Sequence, residues 1–165
     1  MIATEATAAT TKLNTGILRD YIKQQFPTLP GEISEDVALR AVTHKSIAGV
    51  SGDHQSRLSF LGRRTLRFQL MMHLMESGKG VNSEEFKCLD TVALGDKIGR
   101  DWELEKVMRF STSQQKGVYK VRGATVEALM GAISHEFGQS VARDVFLSKI
   151  APKLSSMSSS NTTTS

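Results

Sequence analysis

The sequence predicts an all-α fold. Apolar residues recur at three- and four-residue spacing along most of the chain, and no stretch alternates polar and apolar positions for more than a few residues. Candidate helix starts and stops bracket the periodic runs. The first run, "TGILRDYIKQQF", sets Ile17, Tyr21 and Ile22 on one side and stops before Pro27. The second, "SEDVALRAVTHKSI", opens on Ser34 as N-cap, with Glu35 and Asp36 in the first turn, where acids complement the helix dipole. Val37, Leu39, Ala41 and Val42 follow. The third contains "SRLSFLGRRTLRF", residues 56–68. Leu58, Leu61, Thr65, Phe68, Met72 and Met75 share one side of it, and Ser59, Arg63 and Arg67 lie near the opposite side. Leu66, Leu70 and Leu74 carry apolar character around its second half, so this reads as a central helix with buried last turns and with Met71, Met72 and Met75 in the core. "SEEFKCLDTVALGDKIGRDW" starts at Ser83, puts Phe86, Leu89 and Val92 or Ala93 on one face, and breaks near Gly95 and Gly99. "GATVEALMGAISHEF" sets out Val126, Leu129, Ile133 and Phe137. "GQSVARDVFLSKIAPKL" does the same with Val141, Val145 and Ile150, closed by Pro152.

The 165 residues suffice for one domain with a substantial core. Residues 1–15 are Ala/Thr-rich and residues 153–165 Ser/Thr-rich, and neither segment holds enough apolar surface to order itself, so the domain is expected at 16–152. A net charge of +4 favours an anionic partner without naming one. The single cysteine, Cys88, excludes an internal disulfide and reads as a small core residue in a reducing compartment. One cysteine and four scattered histidines cannot make a structural zinc site. No apolar run approaches the roughly 18 residues a bilayer requires, so no membrane partner is expected. The first residues have neither the apolar core of a secretory signal nor the arginines of a mitochondrial presequence.

"SRLSFLGRRTLRF" raises the functional question. Arg57, Arg63, Arg64 and Arg67 crowd one segment, and no acid lies between His54 and Met75. The cluster has two readings: a solvated helix face, with Arg63 paired to Glu127, or a set of phosphate contacts to RNA. The chain has only ten aromatic residues, too few for a base-stacking surface, so RNA would be held by backbone charge and shape.

"LRAVTHKSIA" (39–48), "RLSFLG" (57–62) and "VEALMGAI" (126–133), in that order, resemble the RNase III endonuclease domain over about residues 17–150. The resemblance implies an all-α RNase III-like fold. In that family four acids per site hold Mg²⁺, a hard cation that needs carboxylate oxygens. Carried over, three of the four acid positions fall on Ser59, Arg63 and Ala124, and only Glu127 is retained; a supporting acid falls on Ser56. The formal charge of the four positions goes from −4 to 0, counting Arg63 as +1 and Glu127 as −1. The resemblance therefore implies no metal, no cofactor and no catalysis. Leu58, Leu61 and Gly62 keep the helix packing. Phe60 falls where family members insert an aromatic ring into a partner subunit, although an ordinary core position is the other reading of this residue. His44 is expected to be buried and hydrogen-bonded, a structural role. Ala124, Ala128, Gly131 and Ala132 leave a small face for close helix approach.

Within the family the pattern is most similar to the degenerate RNase III-like branch of the fungal mitochondrial large ribosomal subunit. That implies ribosomal RNA, a second RNase III-like ribosomal protein in a heterodimer and other large-subunit proteins as partners. Two alternatives stay open: an RNase III-type endoribonuclease or the inactive subunit of one, and a module that regulates an RNA-processing enzyme.

Overall fold

In the computed structural model, residues 15–47 and 53–158 are described. Residues 1–14 of the expected N-terminal segment and residues 159–165 of the expected tail lie outside them. The described part is helical throughout and, among the described residues, has no strand; its one β-type bridge joins Thr43 to Arg109. Helix α1 spans 15–25, α2 Glu35–Ala41, α3 Ser56–Glu76, α4 Thr91–Leu94, α5 Val118–Val145 and α6 Ala151–Ser158.

The long helices α3 and α5 form the central pair, and the other elements close around them. α5 is buried nearly all round from Val121 to Ser134, with Ala124 the least covered position, as expected of a helix enclosed on every side. Beside it a core of large side chains, including Phe26, Leu66, Ile98, Trp102, Leu129 and Phe146, has lost its contact with water. Burying each such side chain contributes about 1.5–3 kcal/mol. Phe26 meets Trp102 edge-on, with ring centroids 5.0 Å apart and planes at 88°. The Tyr21 hydroxyl donates to the Trp102 carbonyl oxygen at 2.6 Å and ties α1 to this core. Burial, aided by Glu103 and Glu105, pushes the Tyr21 phenol well above its usual range.

Several expectations need correction. In α1, Leu18 joins Tyr21 and Ile22 in the core, and Ile17 is exposed. Ser34 precedes α2 but makes no cap bond; its hydroxyl donates to Glu136 Oε1 at 2.6 Å instead. The start signal for α4 is Asp90, which accepts from the Val92 N–H, not Ser83. Gly95 and Gly99 do not break the helix. The chain passes through them in a wider turn, Gly95–Gly99, and both pack against α5, where a Cβ at Gly95 would press on the Tyr119 carbonyl oxygen and the Gly123 nitrogen. The last two predicted helices join as α5, kinked at Gly138, whose φ of 86° suits glycine. Pro152 does not close the helical run: it sits in the first turn of α6, where its missing N–H matters least, and residues 153–158, expected as tail, continue that helix.

The buried face of α3 also differs from the periodicity reading. It consists of Ser59, Gly62, Thr65, Leu66, Gln69, Leu70 and Leu74. Phe60, Phe68, Met71 and Met75 are exposed, at 56%, 50%, 42% and 63%. Leu66, Leu70 and Leu74 are buried as expected, but the small and polar side chains that share their face carry little hydrophobic signal, so the large apolar residues on the outer face dominated the pattern.

Candidate functional site at the crossing of α3 and α5

The two long helices touch at glycines. A Cβ on Gly62 would collide with the Glu127 carbonyl, and one on Gly131 with the Leu58 carbonyl, so the backbones lie in direct contact. This close approach brings the side chains flanking Gly62 onto the adjacent turns of α5. The Ser59 hydroxyl donates to the Ala124 carbonyl oxygen at 2.7 Å, and Ser59 is buried rather than on the outer side. One turn later, Arg63 Nε donates to Glu127 Oε2 at 2.8 Å. The Thr91 hydroxyl, at the start of α4, donates to Glu127 Oε1 at 2.7 Å. Further along the same seam, Thr65 donates to Ser134 Oγ at 3.2 Å and Gln69 Nε2 to Gln139 Oε1 at 3.0 Å.

Glu127 is fully buried, whereas the Arg63 side chain remains 53% exposed. A buried carboxylate needs a partner charge and satisfied lone pairs. Glu127 has both: a guanidinium on one oxygen and a hydroxyl on the other. A divalent cation at this carboxylate would face a fixed positive charge already bound to it. Among the described residues no group of three or more His, Cys, Asp or Glu is placed to hold a metal ion.

Beside the crossing a cleft of about 710 Å³ opens between the start of α3, the start of α5 and the 44–46 turn. Its lining includes His44, Lys45, Gln55, Ser56, Ser59, Arg63, Thr91, Tyr119, Lys120 and Ala124, and no acid. His44 is half-buried; its Nδ1 lies 2.8 Å from Ser46 Oγ and accepts from the Ser46 N–H at 3.1 Å. Burial, then Lys45 and His54, lowers its pKa below the usual 6.5. Cys88 is half-buried, less enclosed than expected; its Sγ donates to the Glu85 carbonyl oxygen at 2.8 Å, and burial raises its pKa.

The four arginines separate. Arg63 serves Glu127 and also lines the cleft. Arg57, Arg64 and Arg67 are exposed. The Arg64 guanidinium lies over the Phe60 ring, 3.4 Å from its centroid, and donates to the Phe60 carbonyl oxygen at 3.2 Å. The Arg67 guanidinium is 5.6 Å from the centroid of Phe86. Phe60 is therefore a surface residue, not a core one. Sequence reading missed Thr91 and Gln55 because both reach the site from outside the three motifs, and no spacing rule links them to it.

Two long helices crossing glycine on glycine, with a polar cleft beside the crossing, define a class of fold that presents paired side chains from both helices to one cavity. The chain belongs to the ribonuclease-III-like family, whose model matches residues 34–154. It is similar to Large ribosomal subunit protein mL57 of Neurospora crassa, 26% identical, with 74% of this chain and 56% of that protein covered. The chain thus spans little more than half the length of that relative. Its fold is similar to two structures of the nuclease domain of ribonuclease III from Campylobacter jejuni. One, a crystal structure, matches at a TM-score of 0.68 with 20% identity over 84% of this chain and 94% of that one. The other, described for structural flexibility in the region of dimer formation, matches at 0.65 with 22% identity over 80% and 97%. Among the described residues no helix is long and apolar enough to cross a membrane.

Proposed function

We propose that this protein is a structural, non-catalytic component of the large subunit of the mitochondrial ribosome. The observation that carries the proposal is the Arg63–Glu127 ion pair, which occupies the position where the family resemblance calls for metal-binding acids. Ser59 and Ala124, at two further acid positions, meet through a hydroxyl-to-carbonyl bond that offers no charge to a metal. The similarity to a large-subunit ribosomal protein supports the ribosomal assignment and the mitochondrial location. In this reading, Arg57, Arg64 and Arg67, with the solvent-facing part of Arg63, contact ribosomal RNA phosphates. Phe60 contacts a second RNase III-like ribosomal protein in a heterodimer, and other large-subunit proteins pack nearby. The domain responsible is 16–152, extended by α6.

Sedimentation of the tagged protein tests this. It should travel with large subunits and remain with them when EDTA separates the subunits. The purified chain should leave duplex RNA intact with Mg²⁺ or Mn²⁺. Cleavage that disappears in Glu127→Gln would overturn the non-catalytic assignment, and absence from large-subunit fractions would overturn the ribosomal one.

A further inference from the structure

We propose that the groove between α1 and the segment leading into α2 is the docking site of this chain's own residues 1–14, which precede α1. The groove has a volume of about 450 Å³, and its apolar lining is Leu18, Ile22, Phe26, Leu29, Ile33 and Ala38. Five of these are buried, and Leu29 is partly so. Pro27 and Pro30 stand in the wall and fix its backbone φ, so the groove is formed before anything enters it. Glu32 ties the wall to α1 at the rim, 2.8 Å from Lys23 Nζ and 3.8 Å from Arg19 Nε. These three side chains are more than half exposed, so the ties rearrange at little cost.

The occupant follows from chain path, local sequence and charge. Thr15, where α1 begins, lines the groove, so residues 1–14 are tethered at its wall. Leu13 is two residues away, a reach of about 7 Å. Asn14, a preferred N-cap type, directly precedes Thr15. That puts Leu13 just before the cap and Leu18 at the fourth helical position, the two places that pair as a hydrophobic staple. Leu18 is a residue of the groove, so the staple directs the entering chain toward it. On the lining, Arg19 and Lys23 are balanced by Glu32 and Glu35, so a phosphate or a strongly charged peptide gains nothing here. Residues 1–14 are balanced as well, with Glu5 against Lys12. They are mostly Ala and Thr, narrow enough for a groove, and their large apolar side chains are Met1, Ile2 and Leu13.

Composition says that residues 1–14 lack the apolar surface to order themselves alone. The groove supplies that surface. The tether makes docking intramolecular, at an effective concentration in the millimolar range, so a few apolar contacts suffice. Leu13 is the anchor, and the rest of the segment lies along the wall toward Leu29 and Ile33. The proposal does not depend on the ribosomal reading.

The test uses the full chain with Cys88→Ser, which keeps a donor toward the Glu85 carbonyl oxygen, and Thr10→Cys carrying a nitroxide spin label. Methyl signals of Leu29 and Ile33, remote from the label in sequence, are compared with the label active and reduced. Both should broaden in this chain and with Leu13→Met added. With Leu13→Asp the broadening should fall severalfold while the circular dichroism stays unchanged, since that position lies outside the core. Broadening that is absent, or that is the same in Leu13→Asp, would overturn the proposal and leave the groove to another molecule. A mixture of spin-labelled chains with isotope-labelled, spin-free chains gives the remaining outcome: broadening of Leu29 and Ile33 there would mean that a second copy fills the groove, and would overturn the proposal too.

Discussion

Arg63 and Glu127 fasten α3 to α5 through one ion pair at the helix crossing. Glu127 is buried on α5, and its two oxygens are taken by Arg63 and Thr91. Arg63→Ala should cost about 2 kcal/mol in urea unfolding, because a buried acceptor loses a charged donor. The exposure of the arginine keeps the figure below that of a fully buried pair. Adding Glu127→Gln should recover much of the loss, since the uncompensated charge is then gone; a double variant as unstable as the sum of the singles would deny the coupling. In the proposed reading, placing acids with Ser59→Glu, Arg63→Asp and Ala124→Asp should still give no efficient cleavage of duplex RNA, because a suitable dimer groove for the duplex is also required; robust Mg²⁺-dependent turnover would show the groove to be intact. His44 supplies a pH signal. Burial lowers its folded pKa below 6.5, so the unfolded chain takes up a proton that the folded chain resists. Stability contributed here is present above that range and is lost as the pH falls through about 6.5 toward the folded value. His44→Asn should flatten thermal melts between pH 7 and pH 5, and an unchanged profile would assign the dependence to other groups. The pairing of Arg63 with Glu127 was one of two readings available from sequence; Thr91, which completes it, was invisible because its contact is purely tertiary.

At the scale of elements, glycine is where sequence reading divides. Gly138 marks a real kink, and its positive φ is the reason. Gly95 and Gly99 look the same in sequence yet lie inside a continuous helical passage, selected for the closeness of α5. Periodicity cannot tell these uses apart, since both appear only as a missing side chain. The structure makes the difference measurable. Gly138→Ala meets nothing within 4 Å, but its φ of 86° and ψ of 177° form a backbone conformation that essentially only glycine adopts, so it should cost that strain alone, about 2 kcal/mol. Gly62→Ala drives a methyl into the Glu127 carbonyl and must separate α3 from α5, at about 3 kcal/mol or more. A thermal melt should therefore fall by roughly 10 °C for Gly62→Ala and by a few degrees for Gly138→Ala. Equal losses would mean that the helix crossing can relax. The small residues of "VEALMGAI" are enough in sequence to predict a close helix approach, while the face of α3 that joins it is masked by serine, threonine and glutamine.

The whole molecule leaves one long helix unfinished. α3 seals its polar and small face against α5 and turns Phe60, Phe68, Met71 and Met75 outward, four large apolar side chains at spacings that follow one side of a helix. A core helix would bury these residues, and a helix serving only as a solvated surface would not carry so many. With Arg64 lying over it, Phe60 has its ring partly covered by a group that can swing away. Such a stripe suits a protein partner, and the proposed heterodimer with a second RNase III-like chain supplies one. The fold class was legible in sequence because helical period survives any assignment of faces; Phe68, Met71 and Met75 read as core because large apolar residues look alike in a core and on an outer face, whereas Phe60 was assigned to a partner contact from the family resemblance. Phe60→Ala and Phe68→Ala should then leave the thermal stability of the isolated chain nearly unchanged, as both rings are at least half exposed. Each should weaken recovery of the partner from affinity-purified large subunits, and a centrally placed anchor costs about 2 kcal/mol, roughly thirtyfold in affinity. Loss of fold in Phe60→Ala would return the residue to the core, and full recovery of the partner by the double variant would move the interface to another face of the domain.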